Sequence, residues 1–257
     1  MFNEPAERGK HPHFCLADAV ASKLEDGNVR AAIRLLCSDD KPAPITEETL
    51  KELQAKHPAV PANRRAPPID PASDQFAVEE ADVLGALRSF PAGSSGGPDG
   101  LRPQHLLDMV NNREFGQTLL SSLTAFVNML LRGTCHPQIS SIFFGGRLIA
   151  LTKKSGGIRP IAVGYSLRRL ISKCVNYYAS RKLSSYFSPR QLGIGTAGGC
   201  EAAVHAMRRF VDSMPADYVV AKLDFRNAFN CLHRDAMLTA VKEKIPEIYN
   251  LCYSAYS

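Results

Sequence analysis

The sequence has no tryptophan, no Cys-x-x-Cys pair and no run of eighteen apolar residues. The last absence leaves nothing that reads as a membrane-spanning helix. The N-terminus, MFNEPAERGKHPHF, has no apolar segment behind a basic start and does not read as a secretory signal. Seven cysteines stand at irregular positions (15, 37, 135, 174, 200, 231 and 252), an odd count that reads as free thiols in a reducing, intracellular compartment. The Cys–His neighbours Cys135-His136 and Cys231/His233 lack second halves at ligand spacing, which argues against a zinc site.

The most informative absence is of acid. Between Phe115 and Cys200 there is no Asp or Glu, yet eleven of the chain's 31 Lys and Arg fall there. They are Arg132, Arg147, Lys153, Lys154, Arg159, Arg168, Arg169, Lys173, Arg181, Lys182 and Arg190. The remaining 20 basic residues face 25 acids elsewhere, so the net charge of +6 hides a basic middle and a mildly acidic remainder. Solvated surfaces normally mix both signs. So long a one-signed stretch points to a face that meets phosphates, such as a nucleic acid.

What is present reads mostly as helix. LADAVASKLEDG carries an apolar stripe and stops at Gly27; NVRAAIRLLC resumes it with Asn28 placed to cap; a third helix starts after Thr46 with Glu47 and Glu48 in its first turn. Residues 57–74 are rich in proline without periodicity and read as a linker or extended strap. Helices follow from Val78 to Ser89, from Gln104 to Val110, and over 115–131, the last with a continuous apolar face ending at Gly133. Arg147–Thr152 and Ile158–Val163 flank Lys-Lys-Ser-Gly-Gly, a hairpin signal with glycines where positive φ is needed. SLRRLISKCVNYYASRKLSSYF and CEAAVHAMRRFVDS read as further helices, separated by the glycine-rich QLGIGTAGG. The expected fold is therefore α+β and helix-dominated, with 45% hydrophobic residues for one large domain or two small ones.

Two places carry chemistry. At the hairpin tip, Lys153, Lys154 and Arg159 stand close enough to clamp a triphosphate, although most Lys-Lys turns are only exposed charge. In DYVVAKLDFRNAFN, an apolar run through Tyr218, Val219, Val220 and Leu223 stops on Asp224. That run predicts a strand. An aspartate at its end either caps the next helix or holds a metal.

KLDFRNAF, GGIRPIAVGYSLRRLISK, SSGGPDGLRPQHL and QLGIGTAGGCEAAVHA together resemble the reverse transcriptase of non-LTR retrotransposons, nearest the site-specific, restriction-like-endonuclease kind. The leading part, LEDGNVRAAIRLLCSDDKPAPITEETLKELQAKHP, resembles the segment that precedes the polymerase core in that family, so the resemblance covers nearly the whole chain. It implies fingers and the first part of the palm of a right-hand polymerase. Residues 1–56 would form a helical N-terminal extension and 57–74 a linker. The fingers, with their nucleic-acid-facing surface, would occupy 75–212, and the palm would start over 213–257.

Residue by residue, the resemblance implies that Asp224 is the first catalytic, metal-binding aspartate, with Phe225 offering a carbonyl to the same Mg²⁺. Phe229 would stack under the sugar and reject a 2′-hydroxyl. The amides of Asn227 and Ala228 would face the triphosphate. Lys153, with Lys154 as the alternative, and Arg159 would grip it. Gln191 and Gly193, and the turn Gly97-Pro98-Asp99-Gly100, would lie against template. The partners implied are template RNA, a DNA primer and deoxynucleoside triphosphates, and the family implies action in the nucleus.

The family's remaining aspartates lie in an aromatic-x-Asp-Asp hairpin, and this sequence has none. Its only Asp-Asp, Asp39-Asp40, ends a helix and lies on the wrong side of Asp224. The expectation is a polymerase segment truncated before that hairpin and inactive alone. The alternative is a non-catalytic remnant that binds RNA through its basic 115–200 region.

Overall fold

In the computed structural model, the described residues are 16–38, 41–59, 63, 65–69, 76–153, 156–225 and 227–256. Lys154 and the Asp39-Asp40 pair lie outside them. The described fold is a helix-dominated α+β arrangement with one small antiparallel sheet.

Helices α1 (Leu16–Glu25) and α2 (Val29–Leu36) form a hairpin at Gly27, whose φ of 67° suits a residue without Cβ. Asn28 caps α2 by accepting from the Ala31 amide. Helix α3 (Glu47–Ala55) starts on Thr46, whose hydroxyl accepts from the Thr49 amide, and the acids of its first turn offset the helix dipole.

Helix α4 (Glu80–Arg88) starts two residues later than its apolar periodicity suggests. Glu79 and Asp82 form a reciprocal capping box, with the Glu79 amide donating to Asp82, and this fixes the first turn. Helices α5 (Pro103–Val110) and α6 (Gly116–Leu131) follow, then α7 (Pro137–Phe143). Strands β1 (Gly146–Thr152) and β2 (Ile158–Gly164) pair in the register Arg147 to Val163 and Leu151 to Arg159. Helices α8 (Ser166–Lys182), α9 (Ser184–Phe187) and α10 (Gly199–Ser213) come next. A short α11 (Ala228–Cys231), α12 (Arg234–Lys244), a 3₁₀ turn at Pro246–Ile248 and α13 (Tyr249–Tyr256) complete the described elements.

The core lies among α4, α5, α6 and α8. Val83, Leu87, Leu106, Leu120, Val127, Leu130, Leu131, Leu170, Ile171 and Cys174 are buried in one cluster. Each fully buried Leu or Ile contributes about 1.5–3 kcal/mol relative to exposure. The C-terminal helices join this core through Ile245, Ile248 and Leu251. Ser140 donates to the Ser254 carbonyl at 2.7 Å, fastening α13 to α7. The proline-rich segment is a strap where it is described. The Arg65 amide donates to Asp235 at 2.6 Å, Lys242 to the Pro68 carbonyl at 3.1 Å, and the Tyr249 hydroxyl to the Pro67 carbonyl.

The expected strand through Tyr218–Leu223 does not form. Residues 217–223 have no regular structure, Val219 is 88% exposed and Leu223 80% exposed. A strand is stabilised by a ladder and by neighbours on its face, and among the described residues the only ladder is β1–β2 with its Pro42 bridge. Local β-propensity without a pairing edge leaves the segment extended and open.

Leu170, fully buried, and Val219 make a paired test. Leu170→Ala is expected to cost about 2–5 kcal/mol through the cavity it leaves. Val219→Ala is expected to stay within about ±0.5 kcal/mol. Chemical denaturation of both variants checks this, and a large cost at Val219 would mean a buried strand.

Candidate nucleotide and nucleic-acid interface

At the hairpin tip, the Lys153 amide donates to the Gly157 carbonyl at 3.0 Å and the Gly156 amide to the Lys153 carbonyl at 3.1 Å. Gly156 and Gly157 have φ of 85° and 75°, the left-handed conformations expected of them. Strand alternation puts Arg147 and Arg159 on one face of the sheet, because Arg147 pairs with Val163 and Leu151 with Arg159. Lys153 and Arg159 are exposed.

The Gly97-Pro98-Asp99-Gly100 turn is tight: the Gly100 amide donates to the Gly97 carbonyl at 3.0 Å, and the Leu101 amide to Asp99 at 3.1 Å. It rests on the junction of β2 and α8. A Cβ at Gly97 would fall 2.7 Å from the Tyr165 Cα, so only glycine permits this approach. Ser166 donates to the Leu101 carbonyl, and Arg169 to the Ser95 carbonyl at 2.6 Å. The fold therefore brings this turn against the hairpin's base, two segments about 65 residues apart in sequence.

Gln191 and Gly193 stand in an exposed loop whose bonds are local. The Gln191 side chain accepts from the Gly193 amide at 2.7 Å, and the Gln191 amide donates to the Phe187 carbonyl at 2.8 Å. Gly195 in the same loop sits against the Ser180 carbonyl of α8.

Asp224 and Phe225 lie on the open segment, with Phe225 76% exposed. Asp224 does not cap the following helix; Asn227 holds that position, with φ of 55°. Asparagine tolerates the left-handed region better than most residues. Its side chain accepts from Asn230 at 3.0 Å and donates to the Lys56 carbonyl at 2.8 Å. Phe229 is 98% exposed and edges a cleft of about 430 Å³ shared with His57, His233 and Asp235. Among the described residues, no group of three or more His, Cys, Asp and Glu is placed to hold a metal ion. Asp224 with one carbonyl does not make the donor set that two Mg²⁺ ions require.

The fold also links the hairpin to the Asp224 segment. Glu52 of α3 accepts from the Ile158 amide at 2.9 Å, beside Arg159, and pairs with Lys56 at 3.4 Å. The Lys56 carbonyl in turn holds Asn227. A hydrogen-bonded path thus runs from the hairpin through α3 to the Asp224 turn. Lys41–Ala43 adds to the same joint: Thr152 donates its amide to the Lys41 carbonyl at 2.9 Å, and Ala43 donates to Ala150 at 2.9 Å. In the sequence Glu52 and Lys56 show only i,i+4 spacing, which says nothing of a distant partner.

No family model, curated protein or solved structure matches the chain.

The Ile158 amide is the main reason the Glu52 carboxyl is held below its ordinary value of 4.5, with Lys56 and Lys153 adding to it. A depressed carboxylate contributes stability above its unfolded value and loses it as pH falls through the folded value. Wild type is therefore expected to lose part of the α3–hairpin joint below about pH 4.5, and Glu52→Gln to lack that component. Amide exchange at Ile158 between pH 3.5 and 6 measures it. Gly97→Ala is expected to destabilise by about 1–3 kcal/mol, because the turn must move off the Tyr165 backbone. A thermal melt checks this second variant.

Proposed function

We propose that the chain is a segment of an RNA-directed DNA polymerase of the non-LTR retrotransposon kind, comprising its fingers and the start of its palm. Lys153 and Arg159 grip the triphosphate of an incoming deoxynucleotide, and Asp224 contributes one carboxylate to the Mg²⁺ site. Asn227, Ala228 and Phe229 frame the sugar and phosphates. The Gly97–Gly100 turn, Gln191 and Gly193 meet template RNA opposite a DNA primer. The observation that carries this reading is the order of four sequence motifs along one chain, joined to a glycine-tipped basic hairpin. The path from Ile158 through Glu52 and Lys56 to Asn227 supports it, because triphosphate grip and metal carboxylate must keep a fixed relation during phosphoryl transfer.

A second reading has its own support. Among the described residues Asp224 belongs to no group of three or more His, Cys, Asp and Glu placed to hold a metal ion, whereas the acid-free span 115–200 needs no partner to bind phosphates. In that reading the chain binds RNA and catalyses nothing by itself.

Primer extension on an RNA template with Mg²⁺ and deoxynucleotides separates the two. The polymerase reading expects incorporation once this segment is joined to a downstream aromatic-x-Asp-Asp hairpin, falling more than about 100-fold in Asp224→Ala, the scale of a lost metal-charge interaction, while RNA affinity holds. Equal incorporation by the mutant removes it. A joined chain that still incorporates nothing but binds RNA with a log–log salt slope of about −2 or steeper, the mark of several phosphate contacts, supports the second reading. Salt-insensitive binding by a folded sample counts against both.

A further inference from the structure

Helix α8 presents more than its buried face. Arg169, Lys173, Tyr177 and Arg181 recur every fourth residue, a row that runs about 18 Å along the helix. This row borders a groove of about 890 Å³ between α8 and α4, lined among others by Phe76, Gly85, Lys173, Tyr177, Tyr178 and Arg181. Among the described residues, none that lines this groove lines the cleft beside Phe229.

The groove is open because α4 offers small side chains to it. Ala81, Gly85 and Ala86 face α8 there, and a Cβ built at Gly85 meets nothing within 4 Å. A glycine inside a helix costs about 1 kcal/mol relative to alanine, and no crowding at this position requires it. What it leaves is room.

Flat rings and cations share that room. Phe76 and Tyr178 stack at 4.0 Å between centroids, forming one wall. Tyr177 is 62% exposed, with the Arg181 guanidinium 5.6 Å from its centroid. Lys173 and Arg169 both lie over the Phe90 ring, at 4.7 and 5.3 Å, which holds them in place. Their hydrogen-bond partners are neutral: Lys173 donates to the Ser89 carbonyl and hydroxyl, and Arg169 to the Ser95 carbonyl. Lys182, by contrast, is paired with Glu247. The one acid among the described lining residues, Asp82, is engaged in the capping box of α4. Asp82 keeps its negative charge while it caps, so among the described lining residues Lys173 and Arg181, with Arg169 at the border, meet a single carboxylate and the groove carries an excess of positive charge.

We infer that the α4–α8 groove binds a short single strand of nucleic acid, with bases stacked on Tyr177 and the Phe76–Tyr178 wall and phosphates on Arg169, Lys173 and Arg181. The inference rests on the basic 115–200 region meeting nucleic acid, and gives that region a defined path apart from the Asp224 segment. Every base has a face to stack, and cations beside aromatic rings are the general means of holding unpaired strands. A duplex keeps its base faces covered and is too wide to enter a cleft between two adjacent helices. An acidic peptide would satisfy the cations but leave the exposed rings unused.

Fluorescence anisotropy with a labelled twelve-nucleotide oligouridylate tests it. Tyr177→Ala is expected to weaken binding about 10-fold, within the range for one lost stacked base, and Tyr177→Phe to keep wild-type affinity. Gly85→Leu fills the groove from a position with free space and a better helix former, so its fold should hold, as a thermal melt verifies, while affinity drops about 10-fold or more. Wild-type affinity in both Tyr177→Ala and Gly85→Leu overturns the groove. If Lys153→Ala with Arg159→Ala then abolishes binding, the nucleic-acid reading survives on the hairpin alone. No binding by folded wild type overturns the groove together with the region's reading as a nucleic-acid face, while the Asp224 primer-extension result stands separately. Polyglutamate competing as well as the oligonucleotide also overturns it, because the site would then read charge without stacking.

Discussion

The rotation of α8 about its axis is the constraint on which the rest of the structure depends. Leu170, Ile171, Cys174 and Val175 are buried in the core with residues of α4 and α6, and together they leave the helix one orientation. Once that apolar stripe is inside, Arg169, Lys173, Tyr177 and Arg181 are carried to its border. Arg168 turns back to the carbonyls of Phe144 and Gly145, where it ties the helix to the start of the hairpin. Ser166, fully buried at the first turn, reaches Leu101 and so holds the Gly97–Gly100 turn. A basic surface, a hairpin and the Gly97–Gly100 turn are thus arranged around one buried helix face. Burial, with the charge of Asp82 adding to it, pushes the Cys174 thiol up to about 11, so this buried side chain stays neutral.

The region from α10 to α11 follows a different logic. Helix α10 buries only Gly199, while Val204, Met207, Phe210 and Val211 stay exposed, and the open segment adds Tyr218, Val220 and Phe225. Contiguous apolar exposure of this kind marks a surface that gains by being covered. Asn227 in this region is anchored to the Lys56 carbonyl. The Asp224 turn is therefore held from its C-terminal side by α3.

The helices were legible because periodicity and capping are local. The stripe over 115–131, the Asn28 and Thr46 caps and the glycine-tipped hairpin each need only a few neighbouring residues to state their structure. Helix α13 was not legible. Its eight residues, YNLCYSAY, carry little polar contrast and earn their helix from docking on α6, α7 and α12. The strand expected at Tyr218–Leu223 failed for the converse reason: its residues favour a sheet, but a sheet needs a second edge, and propensity does not supply one.

The sequence by itself determined the helical class, the position and tip of the hairpin, the separation of basic middle from acidic remainder, and the order of motifs behind the polymerase reading. These depend on residue type and spacing along the chain, which are complete before any folding. Only the tertiary structure decided that Glu52 and Lys56 join the hairpin to Asn227. It alone placed Gly97 against Tyr165 and left Asp224 on an open segment. It also set the small side chains of α4 opposite the row of cations on α8. Those facts are relations between residues tens of positions apart, and they come from which apolar faces share the core.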